Sequence, residues 1–268
     1  MNRIFVLLYF EFLLFIFMPR YFLELSYKGT NYSGFQYQKN TKHTIQSEVE
    51  NAFRILQKDN LDLTSSSRTD AGVHALQNYF HFDYNGAIHP QFVYKMNAIL
   101  PADIVIKNII TVPENAHSRF DAISRDYRYF IYGKKNPFLQ DRAFYFPYKM
   151  DNDKLKQAAE VVKQYTDFTS FSKRNTQVKT FECRIIKSEW MQENDCLVYH
   201  VKANRFLRGM VRALTATMLR VGRNKISLDE FRNIIEARDC TKADFAVPAH
   251  GLFLMQVDYP DGYFNINE

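Results

Sequence analysis

Cysteine is scarce in this sequence, and the positions of the few cysteines argue against the usual cross-links. The 268 residues include three, Cys183, Cys196 and Cys240. Their number is odd, they lie far apart, and no C-x-x-C pair or histidine at ligand spacing accompanies them. The sequence therefore indicates neither a disulfide framework nor a zinc site, and it fits a reducing compartment.

The sequence also lacks a low-complexity linker. Its composition is that of a globular protein, with 46% hydrophobic and 24% charged residues and a somewhat high aromatic content of 16%. A chain of this length holds one large domain or two small ones. If there are two, we expect the boundary, near Pro113 to Phe120, to be a compact connection.

No strong charge imbalance is present. The formal net charge is +6 and the isoelectric point is about 9.0. A polyanionic partner is therefore permitted, but a modestly basic solvated surface is at least as common and needs no such partner.

The first residues form a long apolar run, from Met1 to Met18. It resembles a signal-peptide core or a short membrane anchor. However, it is close to the lower limit of the roughly 17 to 25 residues that a spanning helix needs, and it contains Glu11 and precedes no small-x-small cleavage site. The pattern favours a dispensable extension over an anchor, and we expect the globular domain to begin near Arg20.

Hydrophobic spacing predicts the order β-α-β-β-α-β for the first half of the chain. A threonine cap precedes the first helix, and Pro101 closes the second. The predicted strands are Tyr21 to Tyr27, Leu61 to Ser67, Leu76 to Tyr84 and Ile104 to Val112, and the predicted helices are Thr44 to Lys58 and Phe92 to Leu100. On the third strand, one buried face is expected to hold Leu76, Phe80, Phe82 and Tyr84.

The second half repeats this order, with one additional helix. The predicted strands are Arg125 to Gly133, Phe181 to Met191, Leu197 to Ala203 and Leu252 to Tyr259. The predicted helices are Asp151 to Tyr165, Arg205 to Val221 and Ser227 to Ala237, the last with a capping box of Ser227 and Glu230. Two such units predict an α+β fold of two ferredoxin-like halves. We expect two facing sheets with a groove between them, for which nucleic acid is a reasonable partner.

The stretch "SSSRTDAGVHA", Ser65 to Ala75, connects two of the predicted strands. Gly72 and Asp70 are typical turn residues, which favours a simple turn. That interpretation leaves Arg68 and His74 unexplained, and loops are common places for functional sites. On composition alone the turn is favoured over the site.

Aromatic and basic residues alternate in "HSRFDAISRDYRYFIYG", His117 to Gly133. Tyr127, Tyr129 and Ile131 fall on one face of the predicted strand. Such aromatics usually belong to a core. Interleaved with Arg119, Arg125 and Arg128, the two tyrosines also describe a platform on which an unpaired base stacks while arginine binds phosphate.

A third pattern lies in "ANRFLRGMVRALTATMLRVGRNK", Ala203 to Lys225. At helical spacing its apolar residues gather on one side, and Arg205, Arg208 and Arg212 line the other. Most such stripes are solvated faces. Here the arginines begin the predicted helix, where they oppose its dipole unless an anion or a carboxylate meets them, and this slightly favours a function.

Taken together, the chain from about residue 20 to residue 259 resembles the tRNA pseudouridine synthases of the A type, and "SRTDAGVHA" is the most specific motif of that resemblance. The agreement extends, in the order of the family, over "YKGTNYSGFQYQ", "TIQSEVENAF", "NAILPADI", "HSRFDAISRDYRYFIYG", "DFTSF", "RFLRGMVR" and "GLFLMQVDYP". A departure is Phe35, which stands where the family usually has tryptophan.

The resemblance implies the pseudouridine synthase fold, with an active-site cleft between the two halves, residues 20–116 and 117–268. It makes Asp70 the catalytic carboxylate, Tyr127 the ring that meets the target base, and Arg212 the partner of Asp70. Leu252 or Leu254 should complete the pocket, and Arg68 and His74 should hold either the RNA or the loop. Further contacts with RNA are expected from Arg119, Arg125, Arg205 and Arg208.

The resemblance also implies an isomerase that acts on uridines of the anticodon stem-loop of tRNA in the cytoplasm, usually as a homodimer. Because the reaction gains and loses no group or electron, no cofactor and no metal are expected. Two alternatives from other classes stay open: a non-catalytic RNA-binding module, and a membrane-tethered protein that depends entirely on residues 1–18.

Overall fold

The computed structural model describes residues 18–38, 41, 43–174, 176 and 178–264. Except for Met18, the apolar extension lies outside these residues. In the part of the chain that is described, no helix is both long enough and apolar enough to cross a membrane.

The predicted order of elements is confirmed in the first half. It consists of β1 (Arg20–Tyr27), α1 (Ile45–Gln57), β2 (Thr64–Ser65), β3 (His74–Asp83), α2 (Phe92–Ile99) and β4 (Ile104–Val112). The ends of α1 follow from its sequence. The Thr44 side chain accepts a hydrogen bond from the Ser47 amide, and Lys58 ends the helix in the left-handed conformation.

The second half follows the predicted order with a short additional strand. It consists of β5 (Ser124–Tyr132), β6 (Phe144–Tyr145), α3 (Asn152–Val162), β7 (Ile185–Glu193), β8 (Cys196–Ala203), α4 (Met210–Gly222), α5 (Leu228–Glu236) and β9 (Leu252–Asp258). The capping box of Ser227 and Glu230 is present at the start of α5, as predicted. The protein is thus of the α+β class.

All of these strands belong to one sheet, so the expectation of two facing sheets is wrong. The strand order is β4-β1-β3-β9-β5-β8-β7, with β2 also paired to β3 and β6 to β5. If the short β6 is left out, each half has its fourth, first, third and second strands in that order, as a ferredoxin-like unit does. The halves join where β3 pairs in parallel with β9, through His74 with Phe253 and Ala75 with Leu254. This joint can form because β2 is short and pairs only with Phe80 and His81 of β3. The first residues of β3 are therefore an open edge to which β9 can bind.

Helix α4 begins later than the sequence predicts. Gly209 precedes it with φ of +78°, a left-handed conformation that interrupts the helical pattern, and no side chain caps this end. Arg205 and Arg208 therefore lie in the connection before the helix. The dipole argument applies to Arg212 alone.

Two strand predictions were also too long or misplaced. The strand predicted over Leu61 to Ser67 is reduced to β2. The strand predicted over Phe181 to Met191 begins only at β7, because the segment before it is hydrogen-bonded to residues 166–168 instead of β8, as the bridge between Asp167 and Glu182 shows. On β3, Leu76 is 46% exposed and does not join the buried face. The β1–β3 register shifts after Leu25, so that Ala75 lies opposite Tyr27 and the Leu76 side chain turns outward.

Candidate active site

The loop between β2 and β3 contains a turn, as its composition predicts. The Val73 amide donates a hydrogen bond to the Asp70 carbonyl (3.2 Å), and Gly72 takes the third position of this turn with φ of +81°. A residue with a Cβ is strained in that conformation. The turn fixes the direction in which the chain leaves Asp70.

The backbone before Asp70 is held by neighbouring strands and loops. The Phe35 amide donates to the Thr69 carbonyl (3.1 Å), and the hydroxyl groups of Thr69 and Tyr27 share a hydrogen bond of 2.8 Å. The Asn78 amide group donates to the Ser67 carbonyl (2.9 Å). Asp70 is thus presented by a loop that is hydrogen-bonded on both sides.

His74 connects the end of the same loop to two other segments of the chain. Its Nδ1 accepts a hydrogen bond from the Gly29 amide (3.1 Å), so Nε2 carries the proton and donates to the His250 carbonyl (3.0 Å). The ring stacks on Phe253 with 4.5 Å between centroids. Burial lowers the pKa of His74, which keeps the ring neutral. Both ring nitrogens therefore have partners within the protein.

Among the residues that the structure describes, three cations face the Asp70 carboxylate. Lys173 Nζ lies 3.4 Å from Oδ2, Arg212 Nη1 lies 3.8 Å from Oδ2, and Arg208 Nε lies 3.9 Å from Oδ1. The side chain of Asp70 is 24% exposed, so a substrate can reach the carboxylate. The site carries more positive than negative charge, which suits an anionic ligand.

Arg212 is brought to Asp70 as the resemblance implies, and its position is fixed by the backbone. Its Nε and Nη2 groups both donate to the Val247 carbonyl, at 3.0 and 2.7 Å. The remaining nitrogen, Nη1, is the one that faces Asp70.

Tyr127 lies on β5, where it is 9% exposed and packs edge-on against Phe206 with 5.1 Å between centroids. Burial raises the pKa of its hydroxyl to about 12, and the negative charge of Asp70 acts in the same direction. The residue directly opposite Tyr127 on β9 is Leu254, whereas Leu252 lies opposite Tyr129. Of the two candidate leucines, Leu254 is thus the neighbour of the Tyr127 ring.

The remaining predicted arginines differ in their surroundings. Arg68 and Arg205 both lie close enough to Arg119 for their charges to act on its guanidinium, and the three are here called the arginine cluster. Arg68 and Arg119 are exposed. Although Arg119 is exposed, the partial loss of hydration of its guanidinium and then the charges of Arg68 and Arg205 lower its pKa. Such crowding of like charges favours an anion between them.

The guanidinium of Arg125, in contrast, is hydrogen-bonded within the protein. It donates to the Ala122, Asn204 and Arg119 carbonyls at 3.0, 3.1 and 2.7 Å. These contacts hold the loop that carries Arg119 against the end of β8. The guanidinium is occupied by backbone acceptors.

Comparisons with known proteins agree with this geometry. A family model described as tRNA pseudouridine synthase matches residues 25–121 and 165–260, well over half of the chain. The chain belongs to the tRNA pseudouridine synthase family.

Individual members of that family cover nearly the whole chain. It is 43% identical to the tRNA pseudouridine synthase A of Parabacteroides distasonis, over 94% of this chain and 100% of the relative. It is 37% identical to the protein of the same name from Bacillus subtilis, over 88% of this chain and 97% of the relative. The similarity therefore includes both halves of the sheet and the segments that meet at Asp70.

Three residues at the site of this synthase were not predicted from its sequence. Lys173 lies two residues beyond the "DFTSF" motif, which was the available signal. Phe206 lies inside the "RFLRGMVR" motif and was taken only as part of it. Val247 contributes a backbone carbonyl, for which no side-chain pattern exists.

Proposed function

We propose that this chain isomerises uridine to pseudouridine in tRNA, with Asp70 as the catalytic carboxylate. The observation that supports this most directly is a partly exposed carboxylate on a fixed turn, facing three cations beside the buried Tyr127 ring. Family membership supports the same reaction.

The chemistry needs one ionised carboxylate and no supply of atoms or electrons. The bond between the uracil nitrogen and the ribose breaks, the base turns, and a bond from a ring carbon replaces it. Asp70 starts this sequence either as a nucleophile or by removing a proton, and both roles fit one carboxylate. Lys173, Arg208 and Arg212 compensate its charge, because a carboxylate that is only 24% exposed has lost part of its hydration.

A uridine must leave its stack before it reaches Asp70, at a cost of roughly a few kcal/mol. In our proposal the Tyr127 ring and Leu254 receive the base, and the arginine cluster and Arg208 bind the phosphates around it. The exposure of Arg68, Arg119 and Arg208 and the excess of positive charge support the proposed phosphate contacts. We assign Arg125 and His74 to bracing the site, since their polar groups already have protein partners. Leu252 would support Tyr129 behind the pocket.

Further parts of the proposal come from the family resemblance. They are an anticodon stem-loop substrate, a homodimeric enzyme in the cytoplasm, no cofactor, and a division of the chain between residues 116 and 117. The positive net charge of +6 supports a tRNA partner in general but does not select among tRNA arms.

The decisive experiment replaces Asp70 by alanine. We expect Asp70→Ala to abolish pseudouridine formation on an unmodified anticodon stem-loop RNA, because no other carboxylate can take its place on the turn. RNA binding and the thermal midpoint should stay close to those of the wild type, since the carboxylate accepts no hydrogen bond from the backbone of the described residues. Pseudouridine mapping and a binding titration measure both.

Turnover by Asp70→Ala comparable to the wild type would refute the catalytic assignment. A wild-type protein that binds the RNA but forms no pseudouridine would instead establish the non-catalytic RNA-binding module.

A further inference from the structure

In the described part of the chain, the cation nearest to Asp70 is a residue to which the family resemblance gives no role. Lys173 Nζ lies 3.4 Å from Asp70 Oδ2, closer than Arg212 at 3.8 Å or Arg208 at 3.9 Å. Lys173 and Arg212 address the same carboxylate oxygen. Two cations from different segments of the chain therefore meet at one oxygen of the carboxylate.

The fold fixes the start of the Lys173 side chain. The Lys173 amide donates a hydrogen bond to the Arg208 carbonyl (2.9 Å), which ties this segment to the connection before α4. The aliphatic stem then crosses Gly209. A Cβ at Gly209 would lie 3.1 Å from Lys173 Cγ and 3.2 Å from Cε, so the missing side chain leaves the space that the stem occupies.

The three cations differ in how firmly they are held. Two nitrogens of Arg212 are bound to the Val247 carbonyl, and its guanidinium keeps one orientation. The side chain of Arg208 is 62% exposed and is free to follow an RNA phosphate. Lys173 is intermediate, with a 37% exposed side chain whose stem is packed and whose ammonium ends at Asp70. After Arg212, Lys173 is thus the more firmly held of the cations at this carboxylate.

We propose that Lys173 is a positioning residue for Asp70, which holds the carboxylate in its reactive orientation together with Arg212. This inference depends on the proposed catalytic role of Asp70. It assigns to Lys173 an effect on the chemical step and not on RNA affinity.

The test uses Lys173→Met, which keeps the stem and removes the charge, and Lys173→Arg, which keeps the charge. Lys163→Met is the matched control, because Lys163, at the C-terminal end of α3, is also 37% exposed and pairs with a carboxylate, Glu160, other than Asp70. The measurement is the single-turnover rate with enzyme in excess over an unmodified anticodon stem-loop RNA, together with the Kd for that RNA.

We expect Lys173→Met to lower the single-turnover rate about tenfold with Kd changed less than about twofold, because one charge-assisted contact to Asp70 is lost. Lys173→Arg should recover the rate to within about threefold, since a planar guanidinium replaces the ammonium imperfectly. Lys163→Met should behave as the wild type.

A second variant keeps the proposal testable if Lys173→Met folds poorly. Lys173→Cys is made together with Cys240→Ser, because Cys183 and Cys196 are buried. Alkylation of the new thiol with bromoethylamine expels bromide and restores an ammonium at nearly the length of lysine. The rate should rise on alkylation to within about threefold of the Cys240→Ser parent.

An unchanged rate in Lys173→Met would overturn the proposal, as would a weaker Kd with an unchanged single-turnover rate, which would make Lys173 a phosphate contact. So would alkylation without recovery. Asp70→Ala in the same assay separates the two levels: if it is inactive while Lys173→Met is normal, only the role of Lys173 fails.

Discussion

Arg119 and Arg125 lie six residues apart on one segment, but their guanidinium groups have opposite surroundings. Arg125 is buried and donates to three backbone carbonyls. Arg119 is exposed and crowded by the charges of Arg68 and Arg205. The comparison shows that arginines with the same sequence signal divide into those that build the site and those that are free to bind a ligand.

The largest effect on stability is expected for Arg125→Met. The three backbone carbonyls would lose their donor in a buried position, which we expect to lower the free energy of unfolding by about 3 kcal/mol. Urea denaturation measures this change. Arg119→Gln is the control and should change the same free energy by less than about 0.5 kcal/mol. If Arg125→Met weakened RNA binding without a loss of stability, the division between the two arginines would be wrong.

A smaller effect, on activity, is expected for Arg212→Lys. The substitution keeps a charge near Asp70, but one ammonium cannot both bind the Val247 carbonyl and reach the carboxylate. We expect the single-turnover rate to fall about tenfold, equivalent to about 1.4 kcal/mol in the barrier, with a normal thermal midpoint. A rate equal to that of the wild type would show that charge alone matters at Arg212 and that its clamp on Val247 does not.

The smallest effect is expected for Arg119→Gln on RNA affinity. One phosphate contact is lost, so Kd should rise a few-fold at moderate salt, and the slope of log Kd against log salt should fall by about 1. Titrations at several salt concentrations measure both quantities. An unchanged slope would mean that the arginine cluster does not bind phosphate.

Local structure was predictable where one segment contains its own signals. Thr44 caps α1, and Ser227 with Glu230 caps α5, as their spacing indicates. The left-handed conformation of Gly209 could not be predicted in the same way, because a glycine inside an apolar pattern does not reveal its φ. The start of α4 was therefore placed too early.

Contacts between distant segments were not predictable from local patterns, and the family resemblance supplied only the pair of Asp70 and Arg212. Asp70 and Lys173 are 103 residues apart, and no periodicity connects them. The same holds for the β3–β9 joint, which spans two residue pairs and merges both halves into one sheet. Nor does the sequence distinguish Arg125 from Arg119, because burial decides between them.

The β3–β9 joint also has a consequence for biosynthesis. His74, which braces the turn of Asp70, pairs with Phe253, and Leu254 lies opposite Tyr127. On the ribosome, the first residues of β3 must wait for β9, an interval of roughly 10 to 35 seconds at the usual rate of about 5 to 20 residues per second. Throughout that interval the nascent chain has Asp70 but not the strand that braces it, so the unfinished protein should leave tRNA unmodified.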